Sequence, residues 1–300
     1  MLRTRRIIAV IAASLALILG AVAAPSITGA QANTGVLIWT TTLTNGDAAD
    51  VYIPNGTNLP FALMMQGANV DKQYYSGFAT VASQYGIIVI VPNHVSTVPN
   101  GLYEPSSEIN VAYDWALAQA STSTAPLYGK LDATRMGLFG HSYGGASSLY
   151  AIGGKCQPPF CYGTPITLPT ALKAAALYGT NSVVDGTAAP INLHVPTTLV
   201  NGSVDGLAAL SSAQATFAVM SGAPKGLLTF TGTNHYGICN VNDPPGAIAD
   251  PNSPTTNQSV GYADIARWSA QWVLANMGNQ NAVNFIYGNN SDPLVSRLYG

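Results

Sequence analysis

The sequence predicts an α/β fold: a mostly parallel sheet of about eight strands with helices on both faces and no large lid. Three observations carry this. Apolar runs of strand length alternate with helix-compatible stretches along the chain, the pattern of strand-helix-strand units. The run Ile-Ile-Val-Ile-Val at 87–91 is unbroken and β-branched, as a strand buried on both faces requires. A glycine-rich turn, Gly140-His141-Ser142-Tyr143-Gly144-Gly145, follows one strand-like run and opens a helix-compatible one.

Taken in order, strands are expected at 49–53, 61–66, 87–91, 136–139, 174–178, 197–200 and 226–230, and helices at 76–84, 108–120, 144–152, 208–220 and 260–277. The last helix carries Ile265, Trp268, Trp272 and Val273 on one stripe, which should pack on the sheet. Segments 92–105 and 240–258 are rich in turn-forming residues and read as loops. One domain, 33–288, is expected, followed by a C-terminal tail at 289–300 with no usable periodicity.

Residues 1–32 read as a secretory signal peptide. Arg3, Arg5 and Arg6 precede an apolar run, and Ala30-Gln31-Ala32 matches a small-residue cleavage site. The Arg5-Arg6 pair also fits twin-arginine export. The product is expected to be secreted or periplasmic, monomeric and without stable membrane association after cleavage. Only 8% of the 300 residues are charged and the net charge is −2. A nucleic-acid partner is therefore not expected, since it would need clustered Lys and Arg. A hydrophobic content of 48% argues equally against disorder. With so few titratable groups, stability is expected to vary little with pH.

The chemistry centres on Ser142. A serine between small residues, after a buried strand and before a helix, is lifted clear of the sheet by the sharp turn. The helix amides then face its oxygen and favour developing negative charge. A serine hydroxyl needs a base. His235, in Thr-Asn-His-Tyr-Gly just past the strand at 226–230, would lie at the sheet's carboxyl edge, whereas His194 precedes a strand and falls at the opposite edge. His141 and His94 suit structural or pocket-lining roles. Asp205, past the strand at 197–200, fits the acid that orients the base, with Asp185 as the competitor. The oxyanion hole should combine the Tyr143 amide with that of Ala68 in the loop Gln66-Gly67-Ala68-Asn69. Asn69 and Tyr178 are expected to line the substrate-binding site. Asp243 and Asp250 match no calcium-loop spacing, and neither a metal nor a cofactor is expected.

These residues, from Asp50 to Met277, resemble the α/β-hydrolase superfamily, in the branch of dienelactone hydrolases, chlorophyllases and cutinase-like polyester hydrolases. The resemblance rests on the Gln-Gly-Ala loop, the segment Leu131 to Gly145, the loop Val200 to Gly206 and Thr233 to Gly237. It implies a Ser142, Asp205, His235 triad with oxyanion donors at Ala68 and Tyr143. The chain departs from it in an insertion at 156–165 and in Tyr236, where polyester hydrolases carry Phe. In such a fold the helix after Ser142 runs about 15 Å from the catalytic edge, carrying Cys156 and Cys161 away from the site. A Cys156–Cys161 disulfide with Cys239 free is therefore expected. The implied activity is that of a serine carboxylesterase acting on a small-molecule or polymeric ester. A peptidase or amidase on the same fold, or a non-catalytic exported binding protein, is the alternative.

Overall fold

In the strand Ile88–Asn93, Ile88 and Ile90 pack into one apolar core and Val89 and Val91 into another. This two-sided burial is why the run has no polar alternation, since successive side chains point to opposite faces. The computed structural model describes residues 35–300; the expected signal peptide lies outside the described residues.

Among the described residues the sheet has nine strands: β1 (Val36–Thr42), β2 (Ala48–Pro54), β3 (Leu59–Met65), β4 (Ile88–Asn93), β5 (Leu131–His141), β6 (Leu172–Tyr178), β7 (Thr197–Gly202), β8 (Lys225–Phe230) and β9 (Val295–Tyr299). Their spatial order is β1-β2-β4-β3-β5-β6-β7-β8-β9. β4 to β8 in that order run parallel, while β1, β2 and β9 pair antiparallel at the two edges. This is an α/β-hydrolase fold.

Helices α2 (Glu108–Ser121), α3 (Ser142–Ile152) and α4 (Leu210–Val219) cover one face through Ile109, Trp115, Leu149 and Ala213. On the other face α1 (Ser76–Gln84), α5 (Gln258–Ala275) and α6 (Gln280–Tyr287) bury Phe78, Ile265, Trp268, Trp272 and Ile286. The α5 stripe read from the sequence is thus the buried one. Each such large side chain contributes roughly 1.5–3 kcal/mol by leaving water.

Two edge strands departed from expectation. β1 buries only Trp39, and β9 alternates half-buried and exposed residues, so neither carries a strong apolar signal. The segment 289–300 is accordingly not a free tail. Its strand Val295–Tyr299 pairs with β8, and Tyr299 stacks on Trp272 at 6.1 Å. The start of α4 is also later than the expected residue 208, because Asp205 Oδ1 accepts from the amides of Leu207 and Ala208 and holds them in a turn.

Candidate active site

Ser142 has φ 49°, a left-handed conformation that costs an L-residue roughly 1–3 kcal/mol and persists only where its surroundings enforce it. The enforcement is visible next door. A Cβ on Gly144 would lie 2.4 Å from Gln66 O, and the Gly144 amide donates to that oxygen at 2.9 Å. The turn between β5 and α3 is therefore clamped against the loop after β3, and only glycine fits there. The result places Ser142 at the N-terminus of α3.

His235 sits past β8 and Asp205 past β7. His235 Nδ1 lies 2.9 Å from Asp205 Oδ2 and 3.1 Å from Oδ1, with both side chains buried. Gly179, at φ 58°, passes so close that a Cβ would fall 3.0 Å from His235 Nδ1 and 3.2 Å from Asp205 Oδ2. Ser142 and His235 line the same cleft of about 530 Å³. No hydrogen bond joins the Ser142 hydroxyl to His235 here, a looseness common before substrate tightens such contacts. Asp185, the competing acid, has φ 50° in the exposed turn between 183–184 and 187–188 and does not reach His235.

The oxyanion loop distinguishes its amides. Gly67 N–H donates to Tyr75 Oη, Asn69 N–H to Leu102 O and Val70 N–H to Gly67 O. Ala68 N–H alone of these has no partner among the described residues, and Ala68 lines the cleft with Tyr143. The Tyr143 amide belongs to the first turn of α3, where helix donors have no intrahelical acceptor.

Behind the serine, His141 is fully buried. Burial, reinforced by neighbouring His235, holds its imidazole well below the usual range, so it is neutral. His235 O can only accept, so His141 Nε2–H donates to it at 2.9 Å; Nδ1 then accepts from Tyr75 Oη–H at 2.9 Å. A continuous chain thus runs from Gly67 N–H through Tyr75 and His141 to the His235 backbone.

Asp250 was not singled out for this site in the sequence. Its carboxylate accepts from His235 N–H at 2.8 Å, Asn252 N–H at 2.8 Å and Gly206 N–H at 3.2 Å. It ties the acid-bearing turn to the histidine-bearing one. Only an acid amid Asn, Asp and Pro was visible beforehand, with no local pattern to mark it.

The two expected substrate-binding residues do other work. Tyr178 is fully buried and donates to Asn234 O, supporting the histidine turn from beneath. Asn69, at φ 56°, accepts from Leu102 N–H and donates to Tyr103 Oη, fastening the hairpin of Val95–Thr97 and Asn100–Leu102 to the oxyanion loop. Neither lines the cleft.

The disulfide does join Cys156 to Cys161, with Cα atoms 4.9 Å apart, and Cys239 is free and buried. Its location departs from expectation. After α3 the chain doubles back along the helix, so Phe160 packs on Tyr150 at 5.6 Å and on Tyr143 at 4.9 Å, while Tyr143 Oη donates to Pro159 O at 2.7 Å. Gln157 to Phe160 therefore form a wall of the cleft. Among the described residues no helix is long and apolar enough to cross a membrane.

No curated protein matches the chain. A family model described as PET hydrolase-like matches residues 77–249, from α1 to the loop past the histidine turn, and the chain belongs to this family of ester-cleaving α/β-hydrolases.

Proposed function

We propose that the protein is a secreted serine carboxylesterase that works through Ser142, His235 and Asp205 and takes uncharged, including polymeric, esters. The observation that carries this is the left-handed Ser142 at the head of α3, sharing a cleft with a His235 whose Nδ1 is 2.9 Å from Asp205.

Ser142 Oγ attacks the ester carbonyl carbon while its proton passes to His235 Nε2. Asp205 holds the opposite ring nitrogen and stabilises the imidazolium that results. The carbonyl oxygen becomes an oxyanion facing the Ala68 and Tyr143 amides. Removing one such donor typically costs roughly 2.7–4 kcal/mol of transition-state stabilisation. As the tetrahedral species collapses, the C–O bond to the alcohol breaks and His235 returns its proton to the leaving oxygen. Water, deprotonated by His235, then attacks the acyl-Ser142 ester; as the acyl C–O bond breaks, His235 returns the proton to Ser142 Oγ and the acid is released.

The cleft's rim supports the substrate class. Val184, Leu207 and Ile248 line it and are exposed, Ile248 by 77%. Exposed apolar residues grouped around a site mark a contact surface, and among the described residues no Asp, Glu, Lys or Arg lines the cleft. Between Tyr178 and Thr197 the chain forms only short strands, which leaves the cleft without a helical cover. The test is labelling by a fluorophosphonate, then hydrolysis of p-nitrophenyl esters and an aromatic polyester film. Labelling at Ser142, lost in Ser142→Ala together with ester turnover, is expected. Turnover unchanged in Ser142→Ala overturns the proposal.

A further inference from the structure

Away from the catalytic cleft, three side chains from three segments converge. Asp47 lies in the turn before β2, His94 follows β4 and Glu108 opens α2. His94 Nδ1 is 2.9 Å from Asp47 Oδ2 and 3.3 Å from Glu108 Oε1, and one ligand atom from each lies within 4.8 Å of the others. Ligands of a tetrahedral zinc, each about 2.1 Å from the ion, stand roughly 3.4 Å apart, so these separations suit one small ion.

We propose that Asp47, His94 and Glu108 form a binding site for a first-row divalent cation, Zn²⁺ above all. Two carboxylates and a neutral imidazole balance the ion's charge. An imidazole nitrogen among oxygens favours zinc-like ions over Ca²⁺ and Mg²⁺. The outer shell is already in place. Asn45 Nδ2 donates to Asp47 Oδ2 at 2.6 Å and to Glu108 Oε2 at 2.9 Å, orienting both acids and leaving Glu108 Oε1 turned towards His94, as buttressed metal ligands usually are.

A second, independent observation concerns Glu104. It is fully buried, and no side chain donates to either carboxyl oxygen; the backbone amide of Gln66 is the donor that bears on it. Burial, reinforced by the charges of Glu108 and Asp47, pushes its carboxyl well up. No Lys or Arg is paired with any of the three acids among the described residues. Burying acids without a paired cation is costly. Glu104 lies within electrostatic reach of Glu108 and Asp47, so a cation held by those two acids would offset the charge gathered around it. The ion would also anchor the hairpin that begins after His94 and is pinned at Leu102 by Asn69.

The test is calorimetric titration of the chelator-treated full chain with Zn²⁺, Mn²⁺ and Ca²⁺, beside metal analysis after desalting. One equivalent of Zn²⁺ should bind, and a hundredfold excess over Kd should raise the melting temperature by about 5 °C or more. Glu108→Gln, which keeps shape, and His94→Ala should each weaken binding tenfold or more, whereas His194→Ala, at the far edge, should not. No binding by the wild type shows an ion-pair cluster only and overturns the proposal. Equal affinity in the His94 and Glu108 variants, or Ca²⁺ binding without Zn²⁺, overturns it too.

Discussion

Tyr75 Oη lies 2.9 Å from His141 Nδ1, and the same oxygen accepts the Gly67 amide at 2.8 Å. One buried phenol thus joins the oxyanion loop to the turn that carries the serine. Tyr75→Phe keeps the ring and deletes that junction, leaving two buried groups unsatisfied. A loss of about 1–3 kcal/mol of stability is expected, measured by urea unfolding, with kcat falling more than KM rises.

His141 shapes the acid limb of stability. Its pKa is lowered in the folded state from an ordinary 6.5. Above 6.5 it is neutral in both states and contributes nothing to pH dependence. Below 6.5 the unfolded chain takes up a proton that the folded protein refuses, so stability is lost as pH falls, by up to about 1.4 kcal/mol per pH unit. Tyr75, Tyr178, Tyr236 and His235 surround the ring, so no carboxylate offsets the effect. The raised carboxyls of Glu104 and Glu108 act in the opposite sense. The test therefore compares wild type with His141→Gln, which keeps a donor and an acceptor without titrating. The variant should lose less stability between pH 7 and pH 5. The near-flat profile expected from so few titratable groups leaves out burial, which lets a single group such as His141 set the slope.

Asp250→Asn replaces an oxygen that accepts from His235 N–H or Gly206 N–H with a donor that faces them. Breaking this buried, charge-assisted contact should cost about 1–3 kcal/mol. It should also lower kcat for soluble p-nitrophenyl acetate, since the acid and histidine turns lose their shared anchor.

Reducing the Cys156–Cys161 bond should loosen the wall formed by Gln157 to Phe160. The paired Cys156→Ser, Cys161→Ser variant is expected to raise KM for bulky aromatic esters several-fold while leaving p-nitrophenyl acetate nearly unchanged. Closing so short a loop restrains the unfolded chain by roughly 2 kcal/mol, so a modest drop in melting temperature should accompany the change.

Much of the sheet was legible because its central strands are buried on both faces, and such burial demands long apolar runs like 87–91. The edge strands β1 and β9 were not, since one wet face lets Thr, Ser and Arg replace apolar residues. The serine turn was legible for a similar reason: steric crowding at Gly144 restricts the local sequence.

By itself, then, the sequence determined the alternating α/β order and the serine turn, because each is imposed over a few adjacent residues by backbone sterics or periodicity. The tertiary structure alone decided that Asp250 braces His235 from 15 residues away, that Tyr75 serves His141 across 66, and that the disulfide loop folds back onto the cleft. Tyr178 and Asn69 became supports of the site instead of its lining by the same route. These relationships follow from where distant segments pack, and a hydrogen bond between them leaves no spacing in the chain.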